Sequence, residues 1–346
     1  MKLQELLGTQ LPIIQAPMAG AQGSALAIAV CNAGGLGSLP CAMLSPEQIE
    51  REVAAIRAST DKPFNLNFFC HTPPEPDAER EANWRRLLSP YYAEFGIDPD
   101  SIVAGAGRQP FSAEIADIIE PLRPPVISFH FGLPEPALLE RVKGWGSKVL
   151  SSATTVEEAL WLEAHGVDAI IAQGVEAGGH RGMFLTEDPT TQIGTFALVP
   201  QIHAAVRVPV IAAGGIADAA GVAAAIGLGA AGVQIGTAYL CCPESTISEI
   251  HRQALMSGAA RHTALTNLFS GRPARGIMNR AMRELGPICA EAPAFPLATG
   301  AIAPLRAAAE SRGLGDFSPL WSGQNAGGCR PIPAAELTRQ LGSASA

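Results

Sequence analysis

The sequence predicts a parallel (β/α)8 TIM barrel with a helical addition on its substrate side. Three observations lead there. Eight short apolar segments recur along the chain, centred on Ile13, Leu36, Leu66, Ile127, Val149, Ile170, Ile211 and Val233. Each but the last is tied to the next by a helix-bearing connection, the alternation that builds a parallel sheet. The length of 346 residues suits one barrel with an extra lobe. An open doubly wound sheet is the competing arrangement. Against it, no G-x-G-x-x-G opens a helix; Gly105-Ala106-Gly107 has Pro110 where the third glycine would stand.

The elements follow in order. Residues 11–15 read as a buried strand running into a loop with Pro17, Met18 and Gly20. Residues 24–32 form an alanine-rich helix closed by Gly34 and Gly35, and 36–39 a second strand. Ser45, Pro46 and Gln48 supply the N-cap, N1 and N3 of a helix to about residue 58. Residues 64–69 are the third strand. The rhythm then lapses over 71–125, with a charged helix at 77–88, an irregular stretch at 91–108 and a helix at 113–119. That excursion is too long for an ordinary connection and reads as a lid or part of a substrate lobe.

The rhythm resumes with a strand at 126–130 and a helix at 135–142. A strand at 148–151 precedes a capping box, Thr155 with Glu158, whose helix ends at His165-Gly166. The strand at 169–173 breaks into Gly178-Gly179-His180-Arg181. A helix at 199–205, a strand from 208 ending in Gly214-Gly215, an Asp218-capped helix to about 227 and a strand at 232–237 complete the eight units. Beyond residue 242 the pattern changes to a helix at 245–257, a basic and polar stretch at 261–280, a helix at 301–313 and a loop of aromatic and amide residues at 317–325. Residues 1–242 are therefore expected to form the barrel and 243–346 a helical addition covering its mouth, with 342–346 fraying.

Composition narrows the function. Hydrophobic residues at 47% supply a large core, and a net charge of −8 opposes a nucleic-acid partner. No apolar run reaches the roughly 18 residues of a membrane span, and no signal peptide is visible. The seven cysteines include no CxxC pair, so neither a zinc site nor a disulfide framework is indicated. Reduced thiols point to a cytoplasmic protein. Self-association stays open.

A barrel of this kind carries its active site at the C-terminal strand ends. These ends supply Gln15, Pro17, Met18, Asn67, His130, Gly132, Gln173, Gly178, Gly179, His180, Gly214, Gly215, Gln234, Ile235, Gly236 and Thr237. Carboxylates are nearly absent, which disfavours a two-carboxylate glycosidase or a Mg²⁺ site. The glycines after the last two strands serve either tight turns or a phosphate bound by backbone N–H groups. His130, between Phe129 and Phe131, is either a core histidine or a site residue. His180, flanked by Gly-Gly and Arg-Gly, has little apolar context to bury in and reads as functional.

Together, Gln15-Ala-Pro-Met18, Asn67, Ser128-Phe-His-Phe-Gly132, Gln173 with Ala177-Gly-Gly-His-Arg-Gly182, Ala213-Gly-Gly-Ile216 and Gln234-Ile-Gly-Thr237 resemble the nitronate monooxygenases, formerly called 2-nitropropane dioxygenases. The likeness spans residues 11–239, and Asp316-Phe-Ser-Pro-Leu-Trp-Ser-Gly-Gln-Asn325 shares it. It implies FMN, held by the motif positions from Gln15 to Thr237 named above, with Gly215 and the Gln234 run at the phosphate and Asn67 and Gln173 at the ring or ribityl chain. It implies His180 as the active-site histidine and His130 in the substrate pocket. The implied reaction takes an alkyl nitronate, such as propionate 3-nitronate, and O2 to an aldehyde or ketone plus nitrite through a flavin semiquinone, a detoxification. His180 would then orient the nitro oxygens. This chain departs from the family in that no pocket tyrosine or lysine can be matched; Tyr91, Tyr92 and Tyr239 are its only tyrosines. Arg108 and Arg306 are the cations left to attract an anion. The rival readings are an FMN-dependent NAD(P)H enoyl-thioester reductase, a flavin-free isomerase or lyase, and a non-catalytic flavin-binding protein.

Overall fold

A computed structural model describes residues 2–102 and 108–343. The motif at Gly105-Ala106-Gly107 and residues 344–346 lie outside the described residues. The strands in chain order are β1 Ile13–Gln15, β2 Gly37–Pro40, β3 Phe64–Phe69, β4 Val126–His130, β5 Lys148–Ala153, β6 Ala169–Gln173, β7 Gly179–His180, β8 Val210–Ala213, β9 Gly232–Ile235, β10 Thr263–Thr266 and β11 Ala274–Ile277. Eight of them form one parallel sheet in the order β1-β9-β8-β6-β5-β4-β3-β2. A parallel bridge between Ile14 and Leu36 joins the two ends, with Leu36 N–H donating to Ile13 O at 2.8 Å and Gln15 N–H to Leu36 O at 2.9 Å. This is the (β/α)8 barrel the alternating pattern predicts.

The strands are apolar on both faces because both faces are covered. Ile14, Leu36, Val126, Leu150, Ile171 and Ile211 meet one another, as residues from six segments of the sheet do only inside a barrel. Leu3 and Leu7 of the short helix Leu3–Leu7 join them and plug the N-terminal end. Their sequence neighbours Ile13, Val149, Ile170 and Val210 face outward into the larger core shared with the surrounding helices. Above the apolar plug lies a polar layer. Asn65 Nδ2 donates to Ser38 Oγ and Ser128 Oγ at 3.0 and 2.8 Å.

Local signals placed the helices well where the caps are complete. Ser45 makes a full capping box with Gln48 for Pro46–Ser59. The box expected at Thr155 forms only by half. Thr155 accepts from Glu158 N, but the Glu158 carboxylate turns to Thr154 N, Thr154 Oγ1 and Phe184 N. The excursion holds one long helix, Ala78–Phe95, which passes Pro90 and ends at Gly96 in the left-handed region, φ 69°. The carbonyl of Arg86, deprived of a partner at Pro90, accepts the Ser89 hydroxyl at 2.8 Å. Residues 91–95, expected to be irregular, are therefore helical.

This helix and the C-terminal segment share a second core, in which Trp84, Leu88 and Tyr92 pack with Leu268, Ile302 and Phe317. The addition is helical in part, through Glu249–Met256 and Ala298–Ser311. Its centre, expected only as a basic and polar stretch, is a sheet. β10 and β11 pair antiparallel, and β7 adds to β11 with His180 opposite Ala274. These strands are short and polar and carry no readable period. The last helix, Ala334–Gly342, returns to the barrel. It packs on Ser24–Asn32 and Ala219–Gly227, and Leu337 and Leu341 enter the main core. Gly342, expected to fray, is buried. Among the described residues, no helix is long and apolar enough to cross a membrane.

Candidate active site

The loop after β6 is held by buried polar side chains. Gln173 uses its amide at both ends: Nε2 donates to His180 O at 3.0 Å, and Oε1 accepts from Gly182 N at 2.7 Å. Arg181, fully buried, donates to Gln192 Oε1, Gly174 O and Gln173 O at 2.8, 2.8 and 2.6 Å. Burial pushes its guanidinium down to about 9. Between these anchors, β7 pairing fixes the backbone of His180 from its other edge.

The His180 ring sits among aromatic walls. Phe295 and Trp321 lie 5.4 and 5.5 Å from it, and Phe131 and Phe69 at 6.1 and 6.4 Å, between centroids. Phe131 adopts φ 70°, a conformation a bulky residue occupies only under constraint. Ser151 Oγ, donating to Gly132 O at 2.8 Å, braces that turn. His180 Nε2 lies 2.9 Å from Ser270 Oγ. Ser270 has one other acceptor, Arg272 O, at 3.5 Å, too far for a good O–H···O bond. Its hydroxyl therefore donates to Nε2, which puts the ring proton on Nδ1. Burial, then the positive charge of Arg108, hold the imidazole well below its usual pKa, so the ring is neutral near pH 7.

His130 is committed on both sides. Nε2 faces His180 O at 3.3 Å and Nδ1 faces Ser152 Oγ at 3.1 Å. A carbonyl only accepts, so Nε2 carries the proton and Nδ1 accepts from the serine. Burial pushes this histidine down to about 3. Its ring borders the site, but its hydrogen bonds brace the His180 backbone.

His180 opens onto a cavity of about 270 Å³ at the C-terminal strand ends. Pro17, Met18, Asn67, His130, Gln173, Gly178, Gly179, Gly214, Gly215, Gln234, Ile235, Gly236 and Thr237 line it with His180. Gln15 and Gly132 are the exceptions. Gln15 is fully buried beneath the rim, where its amide bonds Gln22 and the Ser38 backbone; it shares the outward face of β1 with Ile13, away from the cavity. Sequence reasoning missed Phe69, Ser152, Ser270 and Phe295, which lie on other segments and carry no motif. Trp321, Gly323 and Asn325 were visible only through the aromatic and amide loop. Among the two candidate cations, Arg306 is neutralised by Glu310 at 2.8 Å.

At the far side of the cavity, Gly214 and Gly215 take φ 116° and 74°, a backbone path that excludes side chains. The loop at 323–325 closes over it: Gly323 N–H donates to Thr237 Oγ1 and Asn325 Nδ2 to Gly215 O, both at 2.9 Å. Glu176, the carboxylate nearest this cradle, is spent on Thr195 N and Oγ1. Gln234 Oε1 is buried without a partner among the described residues. Both Asn67 amide bonds go to Ser128 through Nδ2, leaving Oδ1 as an acceptor. A glycine cradle free of competing carboxylate, an orphaned acceptor and an apolar wall fit a flavin mononucleotide, which brings a phosphate, hydroxyl and imide donors and a flat ring.

The family model described as nitronate monooxygenase matches residues 1–343. The chain is 45% identical over 343 residues to a nitronate monooxygenase of Paraburkholderia phytofirmans, covering 98% of this chain and 93% of that protein. It is 44% identical to a nitronate monooxygenase of Pseudomonas aeruginosa, covering 98% and 97%. Among solved structures it is similar to a nitroalkane oxidase from Streptomyces ansochromogenes, with a TM-score of 0.89 and 38% identity over 99% of this chain and 97% of that one.

Proposed function

The chain belongs to the nitronate monooxygenase family of flavin-type oxidoreductases, and from that premise we propose that it oxidises alkyl nitronates with O2, using FMN, to an aldehyde or ketone and nitrite. The observation that carries this reading is the placement of a neutral His180, aromatic-walled, in the same cavity as the glycine cradle of β8 and β9. FMN would be held by Gly178, Gly179, Gly214, Gly215, Gly236 and Thr237 around its phosphate, with Asn67 Oδ1 and Gln234 Oε1 accepting from it and Pro17, Met18 and Ile235 as wall. When bound, it supplies the electron acceptor for the nitronate.

The chain's own residues do the rest. A nitronate is already an anion, so no base is needed to form it. Its oxygens need donors, and His180 Nδ1–H is one. The Ser270 hydroxyl fixes that tautomer, and Gln173 and His130 hold the His180 backbone beneath it. Phe69, Phe131, Phe295 and Trp321 exclude water, which strengthens each remaining polar contact. With Nε2 already accepting from Ser270, the imidazole has no free basic nitrogen, so neutral nitroalkanes are poor substrates. All seven cysteines are free thiols, which suits the cytoplasmic location we propose. The test is oxygen uptake and nitrite release after adding pre-formed propionate 3-nitronate without nicotinamide. Rapid uptake supports the reading. A yellow protein that consumes no oxygen, but oxidises NAD(P)H with an enoyl thioester, refutes it.

A further inference from the structure

Two cysteines meet where the chain leaves the last barrel strand. Cys241 ends the 3-10 helix Thr237–Cys241 that follows β9, and Cys329 lies just past the loop at 323–325. Both belong to one apolar cluster with Leu240, Leu255 and Leu320. Cys329 Sγ donates to the Thr237 carbonyl at 3.1 Å, at the start of the helix that Cys241 ends. The Cys241 thiol is its other hydrogen-bonding neighbour. The hydrogen bond from Cys329 outweighs burial and, with the Arg252 cation, holds Cys241 below the usual thiol pKa. Cys242, next in the chain, turns the other way, into the main core. Cys241 is fully buried and Cys329 half-buried, so small solutes reach the pair from the Cys329 side.

Cys329 closes a stretch of chain that roofs the glycine cradle. Gly323 N–H donates to Thr237 Oγ1, and Asn325 Nδ2 to Gly215 O. Gly328 lies so close to the segment after β8 that a Cβ there would stand 2.4 Å from Ala217 O. Gln324, Asn325 and Gly327 are exposed. Single hydrogen bonds and one backbone contact hold the stretch down, the marks of a segment that opens locally. The two thiols join its far end to the exit of β9, across the cradle.

We propose that Cys241 and Cys329 are a reversible oxidation site, at which a peroxide forms a disulfide that locks residues 323–329 over the cradle and retains the flavin mononucleotide. The retention rests on the FMN reading above; the disulfide does not. The thiolate of the pair attacks the O–O bond of hydrogen peroxide, giving a sulfenic acid and hydroxide. The second thiol displaces the sulfenic oxygen, forming the S–S bond and releasing water. Two thiols thus lose two protons and two electrons, and one peroxide becomes two waters. A dithiol reverses the step by exchange. In reducing surroundings the pair stays as free thiols, the state found here. The cross-link excludes conformations in which the stretch lies away from the barrel.

The test treats the holoenzyme with hydrogen peroxide, quenches with catalase, then counts thiols in denaturant and maps the peptides. Wild type loses two of its seven thiols and yields a Cys241–Cys329 cross-link that dithiothreitol reverses. On dilution, the oxidised enzyme releases FMN slower than the reduced one by roughly tenfold or more, and amide exchange at 323–329 slows with it. Cys329→Ser forms no such link and releases FMN at one rate with or without peroxide. Cys70→Ser, which removes the other half-buried thiol, behaves as wild type. Seven thiols that survive peroxide, a link mapped to another pair such as Cys241–Cys242, or a Cys241–Cys329 link that alters neither FMN release nor exchange overturns the proposal. If the protein binds no FMN, yet the link forms and exchange at 323–329 slows, the FMN reading fails while the oxidation site stands.

Discussion

Replacing Ser270 by alanine tests how His180 works. The serine hydroxyl lies 2.9 Å from His180 Nε2 and has no comparable alternative acceptor, since Arg272 O is 3.5 Å away. Without it, nothing in the chain fixes the ring proton on Nδ1, and the tautomer with its proton on Nε2 becomes populated. A neutral hydrogen bond of this kind is worth about 0.5–1.5 kcal/mol, or roughly a two- to tenfold change in a rate or binding constant. Ser270→Ala should therefore lower kcat/KM for a nitronate by about that factor, with flavin content unchanged because Ser270 does not line the cavity. The assay is oxygen uptake over a range of nitronate concentrations, repeated in a His180→Asn background. Residues acting through one another are non-additive, so Ser270→Ala should add almost nothing once His180 is gone. Equal losses in both backgrounds would show that Ser270 does not act through the histidine, and the tautomer argument would fall.

Other outcomes are expected from the same geometry. His180→Asn should cut turnover more deeply than Ser270→Ala while FMN remains bound, as read from the absorbance of the purified variant. Gly215→Val should lose flavin, because a β-branched residue at φ 74° is strained and would move the backbone that forms the cradle; a variant that purifies fully yellow would refute the phosphate assignment. Gln173→Leu strands Gly182 N and removes a donor from His180 O, which at about 1–3 kcal/mol for a buried unsatisfied group should lower the thermal midpoint by several degrees. The buried histidines set an acid limit. Burial holds His71 at about 4 and His130 at about 3, below their unfolded value near 6.5. Protons then favour the unfolded chain, so their contribution is complete above pH 6.5 and is lost as pH falls from 6.5 towards 3. Denaturant titrations should show stability falling by up to about 1.4 kcal/mol per pH unit per histidine in that window, and His71→Asn should flatten the slope.

The barrel was legible because its signals are local. Buried runs such as 169–173, caps such as Ser45 with Gln48, and the Gly214-Gly215 turn are each written within a few residues. The histidine was legible for a related reason: flanked by Gly-Gly and Arg-Gly, it had no apolar sequence neighbours to bury with. The resemblance of the strand-end motifs supplied the chemistry that periodicity could not.

What escaped depends on pairs far apart in the chain. Gln15 shares a motif with Pro17 and Met18, yet strand alternation turns it outward, on the face of Ile13, while they line the cavity. The pairing of β7 with β11 joins residues about ninety apart, and nothing in Ala274 or His180 alone announces it. The sequence by itself determined the eightfold alternation, the glycine turns and the candidate histidine, because backbone preference and hydrophobic period act over neighbours. Only the tertiary structure decided that Ser270 meets His180 and that Arg108 is left without a carboxylate among the described residues, because charge pairing and desolvation depend on which distant side chains the packed chain brings together.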